Sequence, residues 1–461
     1  MTKSKFQNLR KKYPAFIYKA FSWETNKGKL KISFDFFVSP NIQFHPTVVI
    51  QNVTQQDIQR MGELALKNLV FHLGLMEIPS YWKATCSPEI IIEAGYLDKN
   101  QLQWWEDLIL NGMGEFFYKN KINFTVPNFL NIRCARPGLA QPNRVFKGLF
   151  KNQTLIPIGG GKDAIVTLEL LKKLPHRAFV LNPKQEHKEI LKIALEKNPI
   201  VVERAIDPKL LELNRKGYLN GHTPFSAYLS FLSVFAGVLF DYKYIALSNE
   251  RSSNEGNVKY LGKTINHQYS KSFDFEKKFR QYSKKYLAKN IGYFSFLRPL
   301  YELQIARIFS QYQKYFPIFL SCNEANKTKS GMQKPKRKWC GKCAKCLFVF
   351  ISLYPFIGEK QTIKIFKKNL FEDRMLISLM EELTGQKKFK PFECVGTTKE
   401  SVGAFYLCLK NGQPRLLLQH FQKHIAPKYP NLRKEAWSIL SGWNEKNFLP
   451  SEFAKLLKQC L

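Results

Sequence analysis

The chain has 461 residues, 44% of them hydrophobic, enough for two or three domains with a sizeable core and too apolar for a disordered chain. Nine unevenly spaced cysteines in a chain of this length exclude a secreted disulfide framework. The formal charge of +36 invites a nucleic-acid partner, yet the lysines are spread along the whole chain, densest from Lys327 to Lys345, and read equally as a solvated surface or an attraction for a small polyanion.

The basic N-terminus, Met1 to Lys12, lacks an apolar stretch and a small-residue cleavage site, so no secretory signal and a cytoplasmic location are expected. Residues 1–150 read as an α+β module. Leu30 to Phe36 alternates as a half-buried strand, Thr47 to Ile50 can pair with it, and helical patterns cover Gln55 to Leu75 and Gln101 to Tyr118. Tyr81, Trp82, Trp104 and Trp105 could line a ligand surface, but core packing is their commoner use.

From Thr154 strands and helices alternate, and residues 151–347 read as a mostly parallel, Rossmann-like α/β sheet. The expected strands are Leu155 to Ile158, Ala178 to Leu181, Ile200 to Glu203, Tyr244 to Leu247 and Pro317 to Ser321. The apolar stretch Pro224 to Tyr242 contains serines and sits inside this alternation, which argues for a buried helix over a membrane span. Ligands of such sheets bind beyond the carboxyl ends of the strands. The first such end carries Gly159, Gly160, Gly161, Lys162 and Asp163 at the start of an amphipathic helix, a suitable cradle for phosphate with Lys162 as a mobile positive charge. A Walker A spacing is absent. The dinucleotide pattern fits Gly159 to Ala164, but Asn182-Pro183 stands where a ribose-binding carboxylate belongs. Gly159 to Asp163 also resembles the pyrophosphatase-type loop of adenylating enzymes, with Ala164 replacing the usual serine.

After the strand at Tyr244, the polar run Ser248 to Asn257 falls at the same end of the sheet. Glu250 or Glu255 could hold magnesium there, and Arg251 could clamp an anion. His267, in Asn266 to Ser272, is a candidate proton carrier or a structural histidine. Cys322 with Cys340, Cys343 and Cys346 makes a four-thiolate set suited to structural zinc, closing a long loop onto the nucleotide-binding part; an iron–sulfur cluster or free thiols are the alternatives. Nearby lysines and Arg337 would ease thiolate formation. Residues 348–461 read as mainly helical, over Thr362 to Lys368, Arg374 to Leu383, Leu432 to Leu440 and Glu452 to Gln459. The segment Lys390 to Gly396 interrupts them and sets Glu393 beside Cys394, a carboxylate and a thiol suited to proton transfer, or a buried cysteine beside a surface glutamate.

Taken together, Ile156 to Asp163, Ser248 to Arg251 with Glu255 to Asn257, Asn266 to Gln268 with Ser270 to Ser272, Leu297 to Leu300 with Glu302-Leu303, Trp339 to Cys346 and Lys390 to Gly396 resemble the UDP-N-acetyl-α-D-muramoyl-L-alanyl-L-glutamate epimerase family. The resemblance spans residues from about 150 to 400 and implies an adenine-nucleotide α-hydrolase type of fold, with ATP and magnesium activating the terminal glutamate of UDP-MurNAc-L-Ala-L-Glu before it inverts. It implies that Gly159, Gly160, Gly161 and Lys162 hold phosphates and that Asp163 positions magnesium or the loop. Asn249, Glu250, Arg251, Lys271 and Arg298 would then face the substrate, while Glu393, Cys394 and His267 would be the candidates for proton transfer. The cysteine arrangement is also similar to the zinc site of the nitrile synthase of queuosine biosynthesis. An adenylating tRNA-modifying enzyme, sulfurtransferase-like, is the alternative favoured by charge and cysteines, although no RNA-binding signature is present. A nucleotide sensor without chemistry is a further one.

Overall fold

The computed structural model describes residues 4–135, 145–326 and 338–461. Much of the basic run, Arg337 included, lies outside the described residues. In chain order the strands are β1 (Ala15–Asn26), β2 (Lys29–Val38), β3 (Ile42–Phe44), β4 (Thr47–Gln51), β5 (Glu89–Ile92), β6 (Asn131–Cys134), β7 (Lys151–Pro157), β8 (His176–Leu181), β9 (Ile200–Ala205), β10 (Tyr242–Leu247), β11 (Val258–Tyr260), β12 (Lys263–Ile265) and β13 (Gly292–Ser295). Apart from the small hairpin β11–β12, they form one sheet of eleven strands among the described residues, in the order β13-β10-β7-β8-β9-β4-β2-β1-β5-β6 with β3 on β2.

The α/β class is as the alternation predicts, but the sheet is mixed. β13, β10, β7, β8 and β9 run parallel, and at β9 the sheet continues into β4, which pairs antiparallel with Val49 opposite Glu203. β4, β2 and β1 are antiparallel neighbours, and β5 and β6 then run parallel to β1. Period-two patterning explains this half: Leu30, Ile32, Phe34, Phe36 and Val38 of β2 are all buried while the residues between them are not. Along β7 and β8 both faces are covered, while β9 buries one face only. Leu155, Phe179 and Val202 enter one core, and Ile156, Ala178 and Val180 enter a second core.

Pro317 to Ser321 is not a strand. Ile318 and Phe319 close turns onto the Tyr315 carbonyl, and Phe319 buries its ring without joining a ladder; β13 provides the fifth parallel strand instead. The helix expected from Gln55 to Leu75 is two, Gln55–Met61 and Glu63–Trp82, parted at Gly62, whose φ of 78° a residue with a Cβ rarely adopts. Gln101 to Tyr118 likewise divides into Lys99–Gly112 and Gly114–Lys119. Tyr81, Trp82 and Trp105 belong to the core. The apolar stretch forms the buried helix Phe225–Leu239, and among the described residues no helix is long and apolar enough to cross a membrane. Residues after Phe348 are helical in every assigned element.

Candidate active site

Successive strands β7, β8 and β9 step one way along the sheet, after which the chain returns to place β10 on the other side of β7. Between the carboxyl ends of β7 and β10 lies the point where the strand order reverses, the place at which ligands of such sheets bind. From β7 the chain enters it through Gly159 to Gly161 and then the helix Lys162–Leu171, whose N-cap Gly161 makes no side-chain capping bond. None of the three glycines has positive φ. What Gly160 requires is close approach: its carbonyl accepts from the Leu320 N–H at 2.7 Å, and a Cβ there would lie 3.1 Å from the Leu320 carbonyl oxygen. Ser248 Oγ, after β10, and Ser321 Oγ, beside Gly161, are buried without a hydrogen-bond partner.

Lys162 is not the mobile charge its position suggests. It is 1% exposed, and its ammonium contacts Glu302 and lies 2.5 Å from Asp163 Oδ1. Burial opposes its charge, but Asp163 and Glu302 outweigh burial and hold its pKa above the ordinary lysine value. Lys345 Nζ donates to the other oxygen of Glu302 at 3.3 Å. Burial would raise the Glu302 carboxyl, but these two lysines hold it down at about 2.

The polar run after β10 divides its labour. Asn249 donates to Ser295 Oγ at 3.1 Å, and Arg251 stacks over the Tyr301 ring at 4.2 Å while remaining partly exposed. Glu250 is buried, and burial, with Glu302 next in effect, pushes its carboxyl up to about 7. Glu255 is already committed, accepting from Lys390 Nζ at 3.1 Å and the Thr398 N–H at 3.0 Å. Asn257 donates its amide to the Pro391 carbonyl at 2.7 Å and accepts from the His267 N–H at 2.8 Å, fixing the Cys394 segment against His267. Arg298 is 0% exposed. Its donors reach Glu276, the carbonyls of Glu250 and Lys271, Ser253 Oγ and Ser295 Oγ, so it binds loops together and has no donor left for a ligand.

Cys394 and His267, distant in sequence, meet here. Lys271 Nζ lies 3.3 Å from Cys394 Sγ, and His267 acts on the same thiol. Burial resists the thiolate, but Lys271, His267 and Lys345 outweigh it and lower the thiol to about 6. For His267 burial disfavours the imidazolium, whereas Cys394 and Glu115 favour it and raise it to about 9. Glu115, from the helix Gly114–Lys119, accepts from His267 Nδ1 at 2.5 Å. Glu393 turns elsewhere, accepting from the Lys345 N–H at 2.7 Å next to the cysteine cluster. Sequence reasoning missed Glu115 and His222, which lie in stretches with no motif, and Lys345, which stands inside the cysteine motif but is not one of its sulfur donors.

The sulfurs of Cys322, Cys340, Cys343 and Cys346 lie within 4.8 Å of one another, with Cys340 and Cys346 at 3.7 Å. Four thiolates around zinc at about 2.3 Å have sulfurs about 3.8 Å apart, so this donor set fits a tetrahedral ion. The N–H groups of Cys340 and Lys342 point at Cys322 Sγ and Cys340 Sγ at 3.5 and 3.4 Å, as they would toward thiolates.

Residues 7–296 match the family model described as the MurL N-terminal domain, and residues 318–433 match the MurL C-terminal domain. Among curated proteins, the chain is 34% identical over 385 residues to the UDP-N-acetyl-α-D-muramoyl-L-alanyl-L-glutamate epimerase of Xanthomonas oryzae pv. oryzae, covering 80% of this chain and 82% of that protein. Proteins of the same name from Micromonospora sp. and Salinispora tropica are each 34% identical; the first alignment covers 73% of both chains, the second 71% of this chain and 70% of the relative. The chain therefore belongs to the UDP-N-acetyl-α-D-muramoyl-L-alanyl-L-glutamate epimerase family, and it is an isomerase.

Proposed function

We propose that this chain adenylates the terminal L-glutamate of UDP-MurNAc-L-Ala-L-Glu with ATP and inverts it to D-glutamate, releasing AMP and diphosphate, in the supply of peptidoglycan precursors. The observation that carries the reading is the meeting of two chemistries at one end of the sheet. A glycine loop and helix start suited to phosphate stand at one side, and a thiol and imidazole with opposed charge stand at the other, linked through Lys271, Glu250 and Lys345. The names of the relatives supply the substrate.

Removing the α-proton of a free carboxylate would place a second negative charge on the same small group. Forming the acyl-adenylate removes the first charge, so the carbonyl can accept electron density as an enolate. In this reading Gly159 to Gly161 receive the phosphates, and Ser248 and Ser321 offer their unpartnered hydroxyls, one of them making up for the serine replaced by Ala164. Asp163 and Glu250 suit magnesium, since a cation there would offset the burial and the repulsion from Glu302 that lift Glu250. The Cys394 thiolate takes the α-proton, the Lys271 ammonium stabilises the enolate oxygen, and an acid on the opposite face returns a proton and so inverts the centre. Water then cleaves the mixed anhydride to release AMP and the D-glutamyl carboxylate. Arg251, partly exposed and stacked on Tyr301, binds an anionic part of the substrate. Zinc at the four cysteines would be structural, holding the start of the helix Ala344–Phe366 and with it Lys345.

The test is release of AMP and diphosphate from ATP and magnesium with UDP-MurNAc-L-Ala-L-Glu, its D-Glu epimer or bulk tRNA. Substrate-dependent AMP with D-glutamate recovered after acid hydrolysis is expected. AMP formed with tRNA alone would move the chain to RNA modification, and no AMP in any arm would sink the adenylation step.

A further inference from the structure

Glu115 has no part in the function proposed above, yet it is 5% exposed and aimed at the reacting groups from the N-terminal part of the chain. Its Oε2 holds His267 Nδ1, which leaves the other ring nitrogen free of Glu115, and the charges of His267 and Cys394 act on each other. The remaining charges around this row are placed to support it. Lys119 Nζ contacts Glu115 Oε1, Lys271 lies against Cys394, and Lys345 and Glu250 stand beyond Lys271. His222, 3.8 Å from Glu115 Oε2 and 4.3 Å ring to ring from His267, is kept neutral, at about 3, by burial and by the charge of His267; Lys83 adds to that effect. Glu115, His222 and His267 also have the composition of a metal triad. The lysine on one oxygen of Glu115 and the hydrogen bond from Nδ1 on the other occupy the atoms a cation would need.

We propose that Glu115 is a positioning residue of the reaction, holding His267 as the imidazolium that keeps Cys394 a thiolate, so that the N-terminal part of the chain completes the catalytic row. The inference rests on the reading of Cys394 as the group that carries the α-proton. Without the carboxylate, a buried imidazolium beside Lys271 loses its second counter-ion, and the proton moves back to sulfur.

The test uses the full chain. Alkylation of Cys394 by iodoacetamide is followed by the mass of its peptide from about pH 5 to about pH 10, beside the pH profile of epimerisation. The unsubstituted protein is expected to show a thiol midpoint near 6. In Glu115→Gln that midpoint, and the acidic limb of kcat/KM, should rise by at least about one pH unit, a tenfold change in thiolate fraction below it, with KM for ATP unchanged. Glu115→Asp, which keeps the charge, should restore most of the low midpoint, and His267→Gln should raise it. An unchanged midpoint in folded Glu115→Gln, or a rise in His267→Gln alone, overturns the inference. If Glu115→Gln does not fold, a midpoint in Glu115→Asp as high as that of His267→Gln overturns it. A midpoint that shifts as expected in a protein that epimerises nothing overturns the proposed function and supports the relay.

Discussion

Lys162, Glu302 and Lys345 form a buried line of two ammoniums about one carboxylate. The arrangement is costly to break unevenly, because removing the central charge leaves two like charges facing each other out of water. Glu302→Gln should destabilise the fold by about 3–5 kcal/mol, measured by urea unfolding, whereas an exposed ion pair loses no more than about 1 kcal/mol. A loss in the exposed range would mean that water or a bound anion already screens the two lysines. Residues of this kind show how far the sequence was legible. Gly159 to Asp163, His267 and Cys394 stand out because their types and spacing are unusual. Glu302, 140 residues from Lys162, carries the family resemblance without a role, and Glu115, 152 residues from His267, is an ordinary glutamate until the fold brings each to its partner. Arg298 illustrates the converse: an arginine near an anion site suggests ligand binding, and only its complete burial reveals a bracket between loops.

At the scale of elements, the glycine loop and the turn at Leu320 depend on each other. Gly160→Ala sets a methyl group 3.1 Å from a backbone oxygen, where relief requires moving the turn rather than rotating a side chain. The expected result is a several-fold rise in KM for ATP with little change in thermal stability, read by initial rates and calorimetry. Unchanged kinetics would show that the turn yields freely. This contact also explains why Pro317 to Ser321 misleads as a strand: it has the apolar run of one, but its polar backbone is committed to turns and to Gly160. β7, β8, β9 and β10 were legible within a few residues because short apolar runs bounded by turns carry a strong signal. β5 and β6, four residues each, carry little.

Across the whole molecule, the four cysteines draw together Cys322 and the start of the helix Ala344–Phe366. One equivalent of zinc per chain is expected by elemental analysis, and its removal by chelation should lower the melting temperature and the activity together, since Lys345 lies between two of the ligands. Metal-free protein with full activity and unaltered melting would remove zinc from the account. The mixed sheet was less legible than its parallel part. Whether β4 ends a small sheet or continues a large one depends on a partner, β9, that local patterning does not specify.

That junction has a consequence on the ribosome. β4 emerges long before β9, so Val48 and Ile50, fully covered in the finished fold, first stand on an open edge whose hydrogen-bonding groups have no mate. A nascent chain paused between the two strands is open to joining another copy of itself, which makes prompt synthesis through β9, or a chaperone on that edge, a condition for good yield.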